Sequence, residues 1–188
     1  AASVTRLPLS WGNTSAPVLR PEDAPTEWPA MAGYRVATPG YFSVLRQPLL
    51  SGREFAATDR AGTPPVAIVT EGLARALWPG EDAVGKTVRS QLFSEEAGMT
   101  DIHIIGVVGD SRFRSVRTPI VPIMFRNVNQ GHTHMIIRYN GDPATVRAAA
   151  EREWKKITNE VPFNAEFSEE IMQELYEAED ARAKMFAA

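Results

Sequence analysis

The sequence predicts an α+β fold with strands and helices mixed along the chain. Three observations point to it. Residues 66–69 (VAIV) and 102–108 (IHIIGVV) are short apolar runs of strand length. Asp142-Pro143, followed by Val146, Ala150, Trp154 and Ile157, is helical spacing behind a helix start signal. Strand and helix signals alternate in two strand–helix–strand units, without a repeat of fixed period.

Taken in order, residues 1–9 hold a short strand ending near Pro8. Residues 10–30 carry Pro17, Pro21, Pro25 and Pro29 among few apolar anchors and predict a long, mobile loop. Residues 33–37 alternate as a strand. Thr38 is an expected N-cap with Pro39 in the first helical position, Tyr41, Phe42, Val44 and Leu45 on the buried face, and Pro48 ending the helix. Residues 49–55 return extended, and 59–65 form a polar turn. The buried strand 66–69 leads into a helix capped by Thr70 and broken after Trp78 by Pro79-Gly80. Residues 86–90 alternate as a strand, and 92–100 form a loop. The strongest strand, 102–108, is followed by a basic loop, 110–119, with Arg112, Arg114 and Arg117. Strands are expected at 121–125, 134–139 and 163–167. Helices are expected from Asp142 to about Asn159 and from Ser168 onward, the last with Ile171, Leu175 and Ala178 on one face.

The chain has 188 residues, 44% of them hydrophobic and 23% charged, as a folded domain requires. Twenty basic against 23 acidic residues give a net charge of −3, which leaves no basic excess to hold nucleic acid. The absence of cysteine excludes disulfides, thiol catalysis and thiolate zinc sites. The longest apolar runs fall far short of the roughly 18 residues of a membrane span. The ends, Ala1-Ala2 and Ala187-Ala188, are expected to be those of a piece cut from a longer chain.

Residues 80–87 (GEDAVGKT) match the spacing of a phosphate-cradling loop, G-x-x-x-x-G-K-[ST]. Such a loop follows a strand and opens a helix. Here a helix precedes it and an alternating segment follows, while Glu81 and Asp82 would repel a nucleotide. A turn with Gly85 at positive φ and a solvated Lys86 is the expected reading. A soluble nucleotide-binding enzyme using this loop, with Asp110 as its magnesium ligand, is the alternative. His132 and His134 share a strand face and could bind metal with His103, but their spacing selects no third ligand. Ser111 beside Asp110 lacks a nucleophile elbow and is expected to serve a turn. Arg112, Arg114 and Arg117 read as a solvated loop face. Glu169, Glu170, Glu174, Glu177 and Glu179 read as the wet side of the last helix. Tyr41, Phe42, Trp78 and Trp154 read as core. No sign of a solute-binding pocket is present. No catalytic, cofactor-binding or metal residue is expected, and no cofactor.

Residues 36–42 (VATPGYF), 45–55 (LRQPLLSGREF), Asp59-Arg60, 66–71 (VAIVTE), 74–89 (ARALWPGEDAVGKTVR) and 105–110 (IGVVGD) together resemble the MacB-like periplasmic core domain. That domain is the extracytoplasmic part of FtsX-like ABC transporter permeases. The resemblance spans about residues 33 to 186. It implies a domain lying between the first and second membrane helices, with 181–186 (ARAKMF) as the run-in to the second. It implies two subdomains: porter-like strand–helix–strand units over 1–47 and 131–188, and a smaller strand-rich insertion over 48–130. It further implies dimerisation with a second permease copy and ATP hydrolysis on a separate ABC ATPase domain or subunit. A periplasmic location, with substrate export or action on a periplasmic partner protein, completes the expectation. Gly72 departs from the Ala common in the family, at a cost of about 1 kcal/mol in helix propensity.

Overall fold

The computed structural model describes residues 1–5, 7, 14–24, 30–60, 62–91, 98–111, 119–128, 133–173 and 176–177. The chain forms two units, Ala1–Arg138 and Tyr139–Ala188. The first contains β1 (Ala2–Val4), β2 (Ser15–Leu19), β3 (Ala30–Val36), α1 (Tyr41–Leu45), β4 (Leu49–Gly52), β5 (Val66–Thr70), α2 (Glu71–Leu77), β6 (Thr87–Gln91), β7 (Met99–Val108), β8 (Ile123–Arg126) and β9 (His134–Ile136). The second contains α3 (Pro143–Ile157) and a further helical segment at 168–173.

The large sheet runs β4-β7-β5-β8-β3-β2-β6, and β6 pairs back onto β7. Six strands therefore close on themselves as a barrel. The closure rests on β7, the longest strand. Along one edge it pairs with β5 from His103 to Val108. Along the other it takes β6 over Met99–His103 and then β4 over Gly106–Val108. Pairings β3–β8 and β5–β7 are parallel and the others antiparallel, so the sheet is mixed.

Alternation along the strands separates two cores. Val18, Ala32, Tyr34, Val36, Ala67, Val69, Val88, Ile102, Ile104 and Met124 line the interior. Helix α2 packs on β3, β5, β7 and β8 and adds Leu73, Ala74, Leu77 and Trp78 to that cluster. A bulge at Ile105 lets Ile104 and Val107, three residues apart, join the same cluster. The outer faces carry Ile68, Val108, Ile123 and Phe125, which pack with Tyr41 and Phe42 of α1, Phe55, and Ala2 and Val4 of β1. Ring centroids of Tyr41, Phe42 and Phe125 lie 5.0–5.7 Å apart. β1 also pairs with β9 in a separate two-stranded sheet.

Several expectations are corrected. Residues 15–19, expected in a loop, are β2. Thr14 O accepts from Tyr34 N, so even-numbered residues of β2 bond β3, while Pro17 faces the side where β6 pairs only Val18 and Leu19. A residue without an N–H is tolerated there. Met99 and Thr100, also expected in a loop, extend β7 because β6 offers them partners at Gln91 and Ser90. Neither threonine side chain bonds its helix as a cap. Thr38 Oγ1 accepts from Ser3 N at 2.7 Å, and α1 begins after Gly40 at φ 82°. Thr70 sits at the N-cap of α2, but its hydroxyl accepts from Ile123 N at 3.0 Å. Residues 163–167 alternate but are not a strand. Phe163 packs on Trp154 (6.4 Å between centroids) and Phe167 on Tyr139 (5.9 Å). The expected loop positions 10–13, 25–29 and 92–97, Pro8, and Leu175 and Ala178 lie outside the described residues.

Strand β3 was expected from Gly33, β8 from Val121 and β9 through Tyr139; the observed limits are Ala30, Ile123 and Ile136. Asp142 caps α3 as expected, its carboxylate accepting from Thr145 N at 2.8 Å. The unit boundary falls between Arg138 and Tyr139. In the large sheet, β2 and β3, from the porter-like segment expected over 1–47, pair with β6 and β8, from the insertion expected over 48–130.

Candidate functional site

The 80–87 loop joins the end of α2 to the start of β6. Gly80 and Gly85 hold φ of 77° and 85°, which turn the chain back after Trp78. Lys86 donates to the Glu81 carboxylate and lies 5.3 Å over the Trp78 ring. That ion pair holds the Glu81 carboxyl below its ordinary range. The lysine's charge is thus used within the loop, and the order helix–loop–strand is the reverse of a phosphate cradle.

Asp110 does meet a helix N-terminus, though a protein one. Its Oδ1 accepts from Gly72 N at 2.9 Å, and Oδ2 lies 3.5 Å from Arg75 Nη2. It therefore supplies the cap that Thr70 does not. A Cβ on Gly72 would stand 3.1 and 3.2 Å from the two carboxylate oxygens. Glycine at this position makes room for the contact. Nothing local in the sequence joins residues 72 and 110, so propensity reasoning counted only the cost.

His103 and His134 do not converge. His103 Nδ1 bonds Thr87 Oγ1 at 3.0 Å, whereas His134 Nδ1 bonds Thr133 Oγ1 at 2.8 Å. His132, Arg112, Arg114, Arg117, Glu174 and Glu179 lie outside the described residues. Among the described residues no three His, Asp or Glu side chains are grouped to hold a metal ion. Glu169, Glu170 and Glu177 are exposed, as expected of a wet face.

Two buried charges escaped sequence reasoning. Arg53 grips Asp59 through both terminal guanidinium nitrogens, at 2.6 and 3.0 Å, while Ala56 N also donates to that carboxylate at 2.8 Å. The guanidinium hydrogen bonds hold Asp59 below the usual carboxylate range. Arg35, on β3, is 1% exposed and donates from Nη1 to Tyr34 O at 2.9 Å. Burial pushes the Tyr34 phenol up to about 12, raises Tyr41 as well, and lowers Arg126. Arg53 and Asp59 close the loop that follows β4, and Asn127 Nδ2 donates to Asp59 O at 2.6 Å.

In the second unit, a groove of about 700 Å³ is lined by Tyr139, Pro143, Ala144, Arg147, Phe167 and Glu170 among others. Arg147 donates to Ala165 O, stacks 5.2 Å from the Phe167 ring and lies 4.0 Å from Glu170. Glu170 also accepts from Phe167 N at 3.0 Å, so both groups are engaged within the unit.

The sequence profile of the MacB-like periplasmic core domain matches residues 8–157. The chain belongs to that family. Solved structures similar to this MacB-like domain include the periplasmic region of MacB from Actinobacillus actinomycetemcomitans. It is 17% identical, covering 83% of this chain and 65% of that one, with a TM-score of 0.49. The extracellular domain of the ABC-type transporter YknZ from Gram-positive bacteria is 16% identical over 67% of this chain and 52% of its own, with a TM-score of 0.45. A permease-protein domain from Porphyromonas gingivalis is 14% identical over 91% and 79%, with a TM-score of 0.51, and shares the fold. The chain spans less than two thirds of the MacB and YknZ chains. No curated protein matches it. Among the described residues, no helix is long and apolar enough to cross a membrane.

Proposed function

We propose that this MacB-like domain is the force-transmitting extracytoplasmic portion of an ABC transporter permease. The family match over residues 8–157 carries the reading. The geometry is in keeping with it: Arg53 and Asp59 spend their charges on each other, and Lys86 spends its charge on Glu81. In this reading the parent protein's membrane helices move the domain, a second permease copy pairs with it, and a separate ABC ATPase domain or subunit hydrolyses ATP. The motion serves substrate export or a periplasmic partner protein, and the domain itself makes and breaks no bonds.

The parent gene tests this directly. Apolar spans of about 20 residues are expected on both sides of the domain. A gene encoding a wholly water-soluble product would overturn the proposal. Calorimetric titration of the domain with magnesium ATP addresses the enzyme alternative. It is expected to give no binding heat, because Lys86 is engaged by Glu81 and the loop order is reversed. Micromolar binding would favour the enzyme instead.

A further inference from the structure

The interior cluster and the outer cluster share no residue, since the barrel wall separates them. Among the described residues, a polar chain links the helices that belong to each. Helix α1 ends with Arg46 in the left-handed region and Gln47 N donating to Phe42 O at 2.9 Å, which fixes the backbone from which the Gln47 side chain leaves. Gln47 Nε2 donates to Gly109 O at 2.7 Å, and Gly109 N donates to Pro48 O at 2.9 Å. The next residue is Asp110, whose carboxylate accepts from Gly72 N and approaches Arg75 on α2. A side chain at 109 would press on Pro48, its Cβ standing 3.0 Å from the proline Cγ, so glycine allows the close approach. A helix as short as α2, without its own side-chain cap, depends on such outside support.

We propose that Gln47, Gly109 and Asp110 form a tie that couples the position of α1 on the outer layer to the stability of α2 on the interior cluster. Asp110 is the positioning residue at one end and Gln47 at the other. The tie passes along the end of β7, so a displacement of α1 reaches the interior without crossing the wall. This stands on the hydrogen bonds alone and does not depend on the transport reading.

Amide hydrogen exchange on the 188-residue chain tests it. In Asp110→Ala, the amides of Arg75 to Trp78 are expected to exchange about five- to tenfold faster, the factor set by a lost helix cap. Tyr34 and Met124, in β3 and β8, should stay within about twofold of the parent. Gln47→Met keeps the bulk and removes the donor. It is expected to speed the same α2 amides about threefold or more, an effect a purely local cap at Asp110 would not produce. Asp110→Asn, which keeps a neutral acceptor, serves if the alanine variant does not fold, and should fall between. Unchanged α2 amides in Gln47→Met would overturn the tie. An equal rise across α2, β3 and β8 in every variant would overturn it too, by reducing the effect to global stability.

Discussion

Asp59 illustrates how a single side chain sets a pH dependence. Arg53 and Ala56 N bond its carboxylate form, so its native pKa is lowered relative to the unfolded value of about 3.9. A lowered carboxylate pKa contributes stability that is complete above the unfolded value and is lost as pH falls through the native one. The urea midpoint of the parent should therefore drop on acidification below about pH 4. Asp59→Asn should be less stable at neutral pH and show a shallower acid slope. Equal slopes in the two proteins would refute the assignment. At the same scale, sequence reasoning placed Asp142 correctly because its partner, Thr145, lies one helical turn away. It misassigned Thr38, and placed Thr70 at the N-cap without foreseeing where its hydroxyl goes, because the two hydroxyls bond residues 35 and 53 positions distant.

Among the elements, β4 depends on two glycines facing one another. A Cβ on Gly52 would stand 2.2 Å from Ile105 O, and one on Gly106 would stand 2.5 Å from Arg53 O. Backbone atoms cannot yield as a flexible side chain does, so one strand must move. Gly106→Ala is expected to cost about 2 kcal/mol or more in thermal or urea unfolding. Gly62→Ala, at φ 88° with open space around it, is expected to cost about 1 kcal/mol from backbone strain alone. Equal losses would refute the close approach. The elements legible in the sequence were those whose signal is local: the apolar runs of β5 and β7 and the capped periodicity of α3. Strand β2 was hidden by Pro17, whose acceptability depends on how far β6 reaches along it. The alternation of 163–167 misled because its aromatic rings pack on other rings within their own unit rather than on a neighbouring strand.

For the molecule as a whole, every described hydrophobic residue of the two cores lies within Ala1–Arg138. Helix α3 contributes no buried residue, and Ile157 is 80% exposed. A chain ending at Arg138 should therefore retain a cooperative melt with slow exchange at Tyr34, Ile104 and Met124. Loss of that melt would mean that residues 139–188 are required for the first unit to fold. The α+β class was legible because strand and helix signals sum along the chain. The closure of six strands into a ring was not, because it depends on β7 offering both edges at once, and no window of sequence records a second edge.

Ala2 finds its partner at Ile136, and Val18 finds Ser90. Made from its amino end, such a chain must wait: β1 cannot dock against β9 until Ile136 has emerged. Contacts this distant slow the search for the native state. Until then the edge that β1 turns to β9 stands unpaired, the kind of edge on which strands of separate chains add to one another.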